Sequence, residues 1–284
     1  MIKFFQTIYT IYAAILFAGL MMILGLFIVI PVMISDKGDR ISFFFIRSWA
    51  GIWSFLSGIS YQVEGLEHID RRQPYIFIFN HRSFIDAPVI PMAIPQTLKA
   101  LGKKELSKIP IFGWIVGKFA IWVDRTSTES RRKSVKKLVE LLSKGKSVVV
   151  APEGTRNDTD QTLLPFQKGA FRLSIETGIP ILPMAVIGAD EIMKRGSLLL
   201  KPGKVRIYFS EAISPPQPSE TAILELSQKC RNRLEAIQRM NRSLDEFVIE
   251  GITTTIPLHK KLLNHKKFIN SDFNVSWLDK DKIL

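Results

Sequence analysis

The chain has 284 residues, 46% of them hydrophobic, and 39 Lys and Arg against 26 Asp and Glu give a formal net charge of +13. This length allows one large domain or two smaller ones. The charge predicts an anionic partner, such as nucleic acid, anionic lipid or a phosphorylated substrate. The single cysteine, Cys230, excludes an intramolecular disulfide, and no Cys/His spacing typical of a zinc site is present. We therefore expect a folded domain that faces a reducing cytosol.

The N-terminal segment is apolar and long enough to enter a membrane. No charged side chain occurs from Phe4 to Ser35, and a bilayer core needs about 20 apolar residues in a helix. The segment exceeds the roughly 7–15 residues of a signal-peptide core. A buried helix of a soluble protein is the alternative. The segment favours a membrane over nucleic acid as the anionic partner.

A second, aromatic-rich stretch follows the charged turn at residues 36–40. Its members are Phe43, Phe44, Phe45, Trp49, Trp53 and Phe55, and Arg47 is its only charge. Because Trp favours the depth of lipid headgroups, this stretch predicts an interfacial or re-entrant helix. Basic residues flank the first segment on both sides, so the positive-inside rule does not orient it, and spanning or turning back within one leaflet both stay open. We expect residues 1–60 to form membrane-anchoring helices.

Beyond about residue 62, short apolar runs alternate with helical periodicity. The predicted strands are Tyr75–Phe79, Lys99–Gly102, Ala120–Val123, Ser147–Ala151, Ile181–Ile187 and Val205–Phe209. The predicted helices are Thr128–Ser143, a helix from near Lys168 to a stop signal at Gly178, and Ser219–Asn241. This alternation predicts an α/β domain over residues 61–250, a sheet covered by helices with its chemistry on loops at strand ends. Residues 251–284 are expected to form a basic C-terminal extension.

One face of the helix predicted over Thr128–Ser143 is strongly basic. It carries Arg131, Arg132, Lys133, Lys136 and Lys137. A solvated helix face and a surface that rests on anionic lipid are both compatible with this pattern.

The first candidate for chemistry is the segment from Asn80 to Asp86, directly after the strand Tyr75–Phe79. The imidazole of His81 titrates near neutral pH and can accept a proton. A carboxylate five residues on can reach the other ring nitrogen if the loop turns into a helix, and it would then fix the tautomer. His81 and Asp86 are therefore a candidate base and its orienting partner, although a lone His–Asp pair is also common as a structural hydrogen bond.

The second candidate is Pro152-Glu153-Gly154-Thr155-Arg156, which follows the strand Ser147–Ala151. Gly permits close backbone approach, Thr offers a hydroxyl, and Arg offers a planar fork suited to phosphate. A turn with a helix cap is the alternative. Lys103 and Arg125 each follow another predicted strand and are candidates for a second phosphate contact, with surface ion pairing as the alternative.

The sequence offers no obvious covalent nucleophile. It contains neither G-x-S-x-G nor H-E-x-x-H. Cys230 lies in a predicted helix with no His nearby in the sequence. Gly145-Lys146-Ser147 is similar to the end of a P-loop, but Glu140 stands in place of the first Gly. A candidate base and phosphate binders without a nucleophile indicate direct attack by a hydroxyl of the substrate.

Taken in order, these segments resemble the glycerolipid acyltransferases. The resemblance is carried by Asn80-His81-x4-Asp86, by Gly113 through Asp124-Arg125, by residues 152–156 and by Ile179–Pro183. It covers roughly residues 60–215 and is greatest to the bacterial 1-acyl-glycerol-3-phosphate acyltransferases. The apolar N-terminus also matches the membrane-anchoring helices of that family. One departure is Ala151, where the family often has Phe.

The resemblance implies a mixed sheet covered by helices, and a reaction. His81, held by Asp86, would deprotonate the sn-2 hydroxyl of lysophosphatidic acid, which then attacks the thioester of acyl-CoA or acyl carrier protein to give phosphatidic acid. The residues implied to bind the glycerol phosphate are Glu153, Gly154, Thr155 and Arg156, helped by Lys103 and Arg125. The resemblance implies neither a metal nor an organic cofactor.

Two other functions are considered beside this one. The first is an acyltransferase of the same mechanism that acts on another lysolipid, and the second is a non-catalytic membrane-binding protein on the same scaffold. In each case we expect membrane lipid as a partner and no nucleic acid. The expected location is the inner or cytoplasmic membrane, with the catalytic domain facing the cytoplasm.

Overall fold

A computed structural model describes residues 2–35, 38–124, 126–194, 196–246, 255–269 and 277. Its centre is a seven-stranded sheet with the order β1-β7-β6-β2-β5-β3-β4. The strands are β1 Ile59–Glu64, β2 Ile76–Phe79, β3 Leu98–Lys103, β4 Ala120–Val123, β5 Ser147–Val150, β6 Ile181–Ile187 and β7 Gly203–Phe209. Neighbouring strands are parallel except β6 and β7, which are antiparallel. The expected mixed α/β sheet is therefore confirmed.

Helices cover both faces of this sheet. They are α1 Ile2–Ile34, α2 Asp39–Leu56, α3 Asp86–Ala93, α4 Phe112–Val116, α5 Thr128–Ser143, α6 Gly169–Thr177, α7 Ala189–Ile192, α8 Ala222–Glu246, α9 Ile256–Leu263 and α10 Lys266–Ile269. Short 3-10 turns occupy Leu66–His68 and Lys104–Lys108. Most of the predicted C-terminal extension lies outside the described residues.

The two faces of the sheet build two separate cores, because successive side chains of a strand point to opposite faces. Phe77 and Phe79 of β2 belong to the core that α2 and α3 cover. Ile76 and Ile78 belong to the core under α5, α6 and α8. All four side chains are buried, and burial of each contributes about 1.5–3 kcal/mol. β2 is thus fixed on both sides at the centre of the sheet.

The apolar N-terminal segment forms an antiparallel pair of helices, α1 and α2. The indole Nε1 of Trp53 donates a hydrogen bond to the carbonyl oxygen of Ala13 at 2.9 Å. Gly25 of α1 lies against Ile115 of α4, where a Cβ would come within 2.6 Å of its Cδ1 atom. The helix pair is therefore packed on the α/β domain, on the face of the sheet that α3 covers.

A buried ion cluster joins the start of α2 to the sheet. Asp39 lies between the ammonium groups of Lys99 in β3 and Lys146 before β5. Burial alone would raise the pKa of Asp39, but the hydrogen bond from Lys146 and the charge of Lys99 outweigh it and hold this pKa below its usual value. The cluster favours a single docked position of the helix pair.

Every predicted strand and helix is present, although the prediction omits β1 and the short helices α4, α7, α9 and α10. All six predicted strands are present, and the helix predicted over Thr128–Ser143 is α5. Gly178 ends α6 with a φ of 70°, the left-handed conformation that suits a glycine stop. The long last helix begins at Ala222 and extends to Glu246. β1 is absent from the prediction, and the domain division near residue 60 stays a prediction.

Candidate active site

The two polar loops of the sequence meet at one edge of the sheet. β2 and β5 are parallel neighbours, so their carboxyl ends lie side by side. The loop from Asn80 leaves β2 there, and the loop from Ala151 leaves β5 beside it. Loops at the carboxyl ends of neighbouring parallel strands are a common location for binding and catalysis.

His81 and Asp86 form a direct hydrogen bond at this edge. The Nδ1 atom of His81 lies 2.6 Å from the Oδ2 atom of Asp86. Asp86 is the first residue of α3, and its side chain is only 2% exposed, whereas that of His81 is 26% exposed. The carboxylate of the pair is therefore buried, and its imidazole is accessible from the surface.

The surroundings of Asp86 define the tautomer of His81. The same Oδ2 atom accepts hydrogen bonds from the backbone N–H groups of Arg82, at 3.1 Å, and Ser83, at 3.2 Å. An oxygen that accepts two N–H groups suits an ionised carboxylate, which has no proton to donate. The Nδ1 atom of His81 is then the donor of the 2.6 Å bond. Its Nε2 atom is the nitrogen that can accept a proton from another group.

The second loop holds the backbone of His81 on both sides. The Oε1 atom of Glu153 accepts the backbone N–H of His81 at 2.9 Å, and its Oε2 atom accepts that of Leu164 at 2.8 Å. The backbone N–H of Asn157 donates to the carbonyl oxygen of His81 at 2.7 Å. Glu153 is 3% exposed, and its burial raises the pKa of this carboxyl against the opposing effect of the two N–H donors.

The resemblance implies a phosphate contact for Glu153, which stays a prediction, and this geometry favours another role. A group with both oxygens on buried backbone donors is directed into the protein, and its charge would repel a phosphate. We therefore propose that Glu153 positions His81 in place of contacting the glycerol phosphate.

Arg156 reaches the loop of the His–Asp pair from the other side. Gly154 turns the chain with a φ of 71°, a conformation that favours glycine. The guanidinium carbon of Arg156 then lies 3.6 Å from the ring centroid of Phe84, which is between His81 and Asp86 in the sequence. Such stacking holds the planar guanidinium by its face and leaves its edge for hydrogen bonds. Thr155 is exposed beside it.

The structure describes one of the two further cationic residues that the sequence suggested as phosphate contacts. Lys103 ends β3, at the same edge of the sheet, where its exposed ammonium group lies 3.3 Å from the Oε1 atom of Glu105. Arg125 lies outside the described residues. The described residues contain no group of three or more His, Cys, Asp or Glu side chains placed to hold a metal ion.

Three further residues of the segment from Asn80 to Asp86 support the site, although no role was predicted for them from the sequence. Asn80 exchanges two hydrogen bonds of 2.7 Å with the backbone of Val186, which continues the pairing of β2 and β6 beyond the end of β2. Arg82 donates to Asp190 at 2.7 Å, and the hydroxyl of Ser83 donates to the carbonyl oxygen of Met193 at 2.7 Å. Each fixes the loop to β6 or α7. Their position beside His81 was the available signal.

The fold and this site define an α/β protein with a His–Asp pair and an adjacent arginine loop, and the comparisons show which proteins it resembles. The family model described as Acyltransferase matches residues 60–187. This segment contains β2, β5 and both loops of the site, so this part of the chain is similar to the acyltransferase family. A second model, the biotin carboxylase C-terminal domain, matches residues 205–280. The described residues within this second match include most of β7, which pairs within the same sheet.

Similar proteins share one printed activity. The chain is 33% identical to a chloroplastic 1-acyl-sn-glycerol-3-phosphate acyltransferase of Brassica napus, over 64% of this chain and 53% of that one. It is 28% identical to the 1-acyl-sn-glycerol-3-phosphate acyltransferase of Saccharomyces cerevisiae, over 66% of this chain and 63% of that one. The chain thus spans about half to two thirds of the length of these relatives.

A solved structure shows the same fold. The crystal structure of the 1-acyl-sn-glycerophosphate acyltransferase from Thermotoga maritima matches 88% of this chain and 100% of its own, with a TM-score of 0.74 and 23% sequence identity. The relatives above come from a plant and a yeast, so the bacterial subgroup stays a prediction.

Proposed function

We propose that this protein transfers a fatty-acyl group from a thioester donor to the sn-2 hydroxyl of 1-acyl-glycerol-3-phosphate, giving phosphatidic acid. The observation that carries this proposal is the exposed imidazole of His81, whose Nδ1 atom is tied to buried Asp86. The activity printed for the relatives from Brassica napus and Saccharomyces cerevisiae supports it. The donor is acyl-CoA or an acyl carrier protein.

In this mechanism the Nε2 atom of His81 accepts the proton of the sn-2 hydroxyl as its oxygen attacks the thioester carbonyl carbon. The new C–O bond forms, and the carbonyl oxygen becomes an oxyanion. When the intermediate collapses, the C–S bond breaks and the leaving thiolate takes the proton from Nε2. Asp86 stabilises the imidazolium that forms between these steps. The chain itself forms no covalent bond to the acyl group.

Arg156 is the residue we assign to the phosphate of the acceptor. Its guanidinium is fixed on Phe84 and can offer two parallel N–H donors to phosphate oxygens. Thr155 and Lys103 are proposed as further contacts, because both are exposed at the same edge of the sheet. Arg125 remains a candidate on its sequence position alone.

The apolar helix α1 is long enough to cross a bilayer by length and composition, and this chain is consistent with a membrane protein. We propose that α1 lies along one leaflet instead. Near its start, the hydroxyl of Thr10 accepts a hydrogen bond from the backbone N–H of Leu200 at 2.9 Å. Near its end, Gly25 lies against Ile115. A crossing helix would place one of these regions, and the domain attached to it, inside the hydrocarbon.

The exposed face of the helix pair supports the same arrangement. Exposed apolar side chains on it include Ile8, Ile15, Ile23, Leu26, Phe27, Phe44 and Phe55. An exposed apolar surface of this extent is typical of a membrane-binding face. We propose the cytoplasmic leaflet, with the site at the membrane surface, where a lysolipid in the leaflet and a water-soluble donor can both reach it.

The test is an assay of the purified full-length chain in phospholipid vesicles. Lysophosphatidic acid, lysophosphatidylcholine and lysophosphatidylglycerol are offered as acceptors, each with palmitoyl-CoA and with palmitoyl-acyl carrier protein. We expect phosphatidic acid from lysophosphatidic acid, with at least one donor, as the fastest reaction. Faster turnover of another lysolipid would favour the alternative acceptor. An absence of turnover with every pair would favour the non-catalytic alternative.

A further inference from the structure

The proposed reaction gives no role to the basic face of α5. Leu138 and Leu142 of α5 are buried in the core under α5, α6 and α8, whereas Phe43 and Trp53 of α2 belong to the core on the other face. The sheet therefore separates α5 from the membrane-binding helix pair.

Distance decides against lipid as the partner of this face. Packed layers lie about 10 Å apart, so the intervening sheet places α5 about 20 Å from the layer that contains α2. The Debye length at physiological ionic strength is about 8 Å. Charges on α5 are thus screened from the membrane on which α1 and α2 rest.

The charges themselves are exposed and crowded. Five cations occur within seven residues, and all five are exposed: Arg131, Arg132, Lys133, Lys136 and Lys137. Lys133 pairs with Glu129 at 2.6 Å, but Arg132, Lys136 and Lys137 form no ion pair with any residue that the structure describes. Like charges four residues apart, as in Arg132 and Lys136, destabilise a helix slightly. An acidic partner would offset this repulsion.

The shape of the face indicates a macromolecule. Small ligands bind in concave sites that bury most of their surface, and the outer side of an exposed helix is convex. Lys133 and Lys137 also line an open groove of about 530 Å³ beside β4. Arg132 and Lys136 are not among the residues that line it. Several exposed cations on a convex face suit electrostatic docking of an acidic protein.

We propose that the basic face of α5 docks an acidic acyl carrier protein as the acyl donor, an inference that rests on the proposed function. α5 begins just after β4, at the edge of the sheet where His81 lies. β4 is three strand spacings from β2, about 14 Å at about 4.8 Å each. The flexible phosphopantetheine arm of a carrier protein can carry the acyl thioester across such a distance to His81.

The experiment compares two double variants of the full-length chain in vesicles. Arg132→Glu with Lys136→Glu reverses two charges on the docking face. The matched control, Lys204→Glu with Lys229→Glu, makes the same charge change at exposed positions of β7 and α8. Kinetics with lysophosphatidic acid are measured with palmitoyl-acyl carrier protein and with palmitoyl-CoA, at low and at physiological salt.

We expect the α5 variant to raise the KM for the carrier-protein donor roughly tenfold at low salt, with kcat nearly unchanged. Its KM for palmitoyl-CoA and its sedimentation with anionic vesicles should match those of the control. The inference would be overturned if KM of the α5 variant did not shift, shifted equally with both donors, or shifted equally in the control. Wild-type turnover with palmitoyl-CoA alone would overturn it as well. Each of these outcomes leaves the proposed function intact. Loss of vesicle binding would assign the face to lipid. No wild-type turnover with either donor would refute the proposed function, and the docking role with it.

Discussion

At the scale of single residues, the site depends on how firmly His81 is held. Asp86 holds its ring, while Glu153 and Asn157 hold its backbone from the neighbouring loop. A base must lie within hydrogen-bond reach of the proton that it accepts, and a displacement of about 1 Å can reduce the rate about 100-fold. The residues around His81 are thus as important as its chemistry.

Glu153→Gln tests the positioning role. The amide replaces one acceptor oxygen by an NH₂ group, which would face a backbone N–H of His81 or Leu164. We expect kcat to fall by up to about 100-fold with little change in the KM for lysophosphatidic acid. Asp160→Asn, at an exposed position of the same loop, is the control for general disturbance. An increase in KM with unchanged kcat for Glu153→Gln would indicate direct substrate contact instead.

Arg156→Ala tests the proposed contact with the phosphate of the acceptor. Removal of its guanidinium in Arg156→Ala should raise the KM for lysophosphatidic acid about 10–100-fold, because charge-assisted hydrogen bonds contribute about 1.5–3 kcal/mol. Arg156→Lys should recover part of this, since it restores the charge but not the fork. Arg172→Ala, an exposed arginine of α6, is the control. An unchanged KM in Arg156→Ala would remove Arg156 from phosphate binding.

The sequence located these residues better than it assigned their roles. His81, Asp86 and Arg156 were recognisable because their residue types, order and position after strands are local features. The role of Glu153 depends on a hydrogen bond to a backbone group 72 residues away. No local pattern shows whether a carboxylate points into the protein or out of it.

At the scale of elements, the helix pair is held on the α/β domain by hydrogen bonds of a charged side chain as well as by apolar contact. Arg47 of α2 donates to the carbonyl oxygens of Met92 and Ile94, both at 3.4 Å, at the end of α3. α3 begins at Asp86. The helix pair therefore contacts α3, the helix that begins with the proposed partner of His81.

The ion cluster at the start of α2 gives a prediction for stability. Asp39→Asn leaves Lys99 and Lys146 close together without their shared carboxylate, so the free energy of unfolding should fall by about 2 kcal/mol. Chemical denaturation in detergent measures this change. Lys144→Met, which removes an exposed ion pair with Glu140, is the control and should change stability by less than about 1 kcal/mol. Equal stability of Asp39→Asn and wild type would contradict the role of the cluster.

The same cluster predicts a dependence on pH. The folded-state pKa of Asp39 lies below its unfolded value, so its contribution is present above the unfolded value, about pH 4. It is lost as the pH falls through the folded-state value. The difference in unfolding free energy between wild type and Asp39→Asn should therefore shrink below about pH 4, and a difference that grew on acidification would contradict this assignment.

Strand β1 shows where sequence patterns were insufficient. Ile59, Tyr61 and Val63 alternate with polar residues, which is a strand pattern, but the run continues directly from the aromatic helix α2. Its partner is β7, with Ile59 opposite Gly203, 144 positions later in the chain. Pairing at that separation leaves no local signal, whereas β2 and β5 were recognisable as wholly apolar runs.

At the scale of the whole molecule, the apolar helices lie on one side of the sheet and the basic face of α5 on the other. An acceptor that remains in the leaflet and a donor that arrives from water would then approach from different sides. The fold class and the order of the site loops were predictable from sequence. The separation of these two surfaces was not, because it depends on the face of the sheet that each helix covers.

Labelling tests the arrangement of α1 in the membrane. Phe5→Cys and Met33→Cys place exposed thiols near its two ends, while the native Cys230 is buried. With a membrane-impermeant thiol reagent, we expect both to react in inside-out vesicles and neither in right-side-out vesicles. Unmutated protein is the control for Cys230. Reaction of the two positions from opposite sides would show a spanning helix.

We propose that His81 is the general base of an acyl transfer to lysophosphatidic acid, and the replacement of His81 tests this role. The initial rate of phosphatidic acid formation is compared for wild type, His81→Ala and Asp86→Asn, at equal amounts of vesicle-bound protein and saturating substrates. We predict that His81→Ala lowers kcat by about 10³–10⁴-fold, and that Asp86→Asn also lowers it strongly because the tautomer is no longer fixed. General-base catalysis usually contributes more than about tenfold to kcat. A kcat of His81→Ala within about tenfold of the wild-type value would therefore contradict this role of His81.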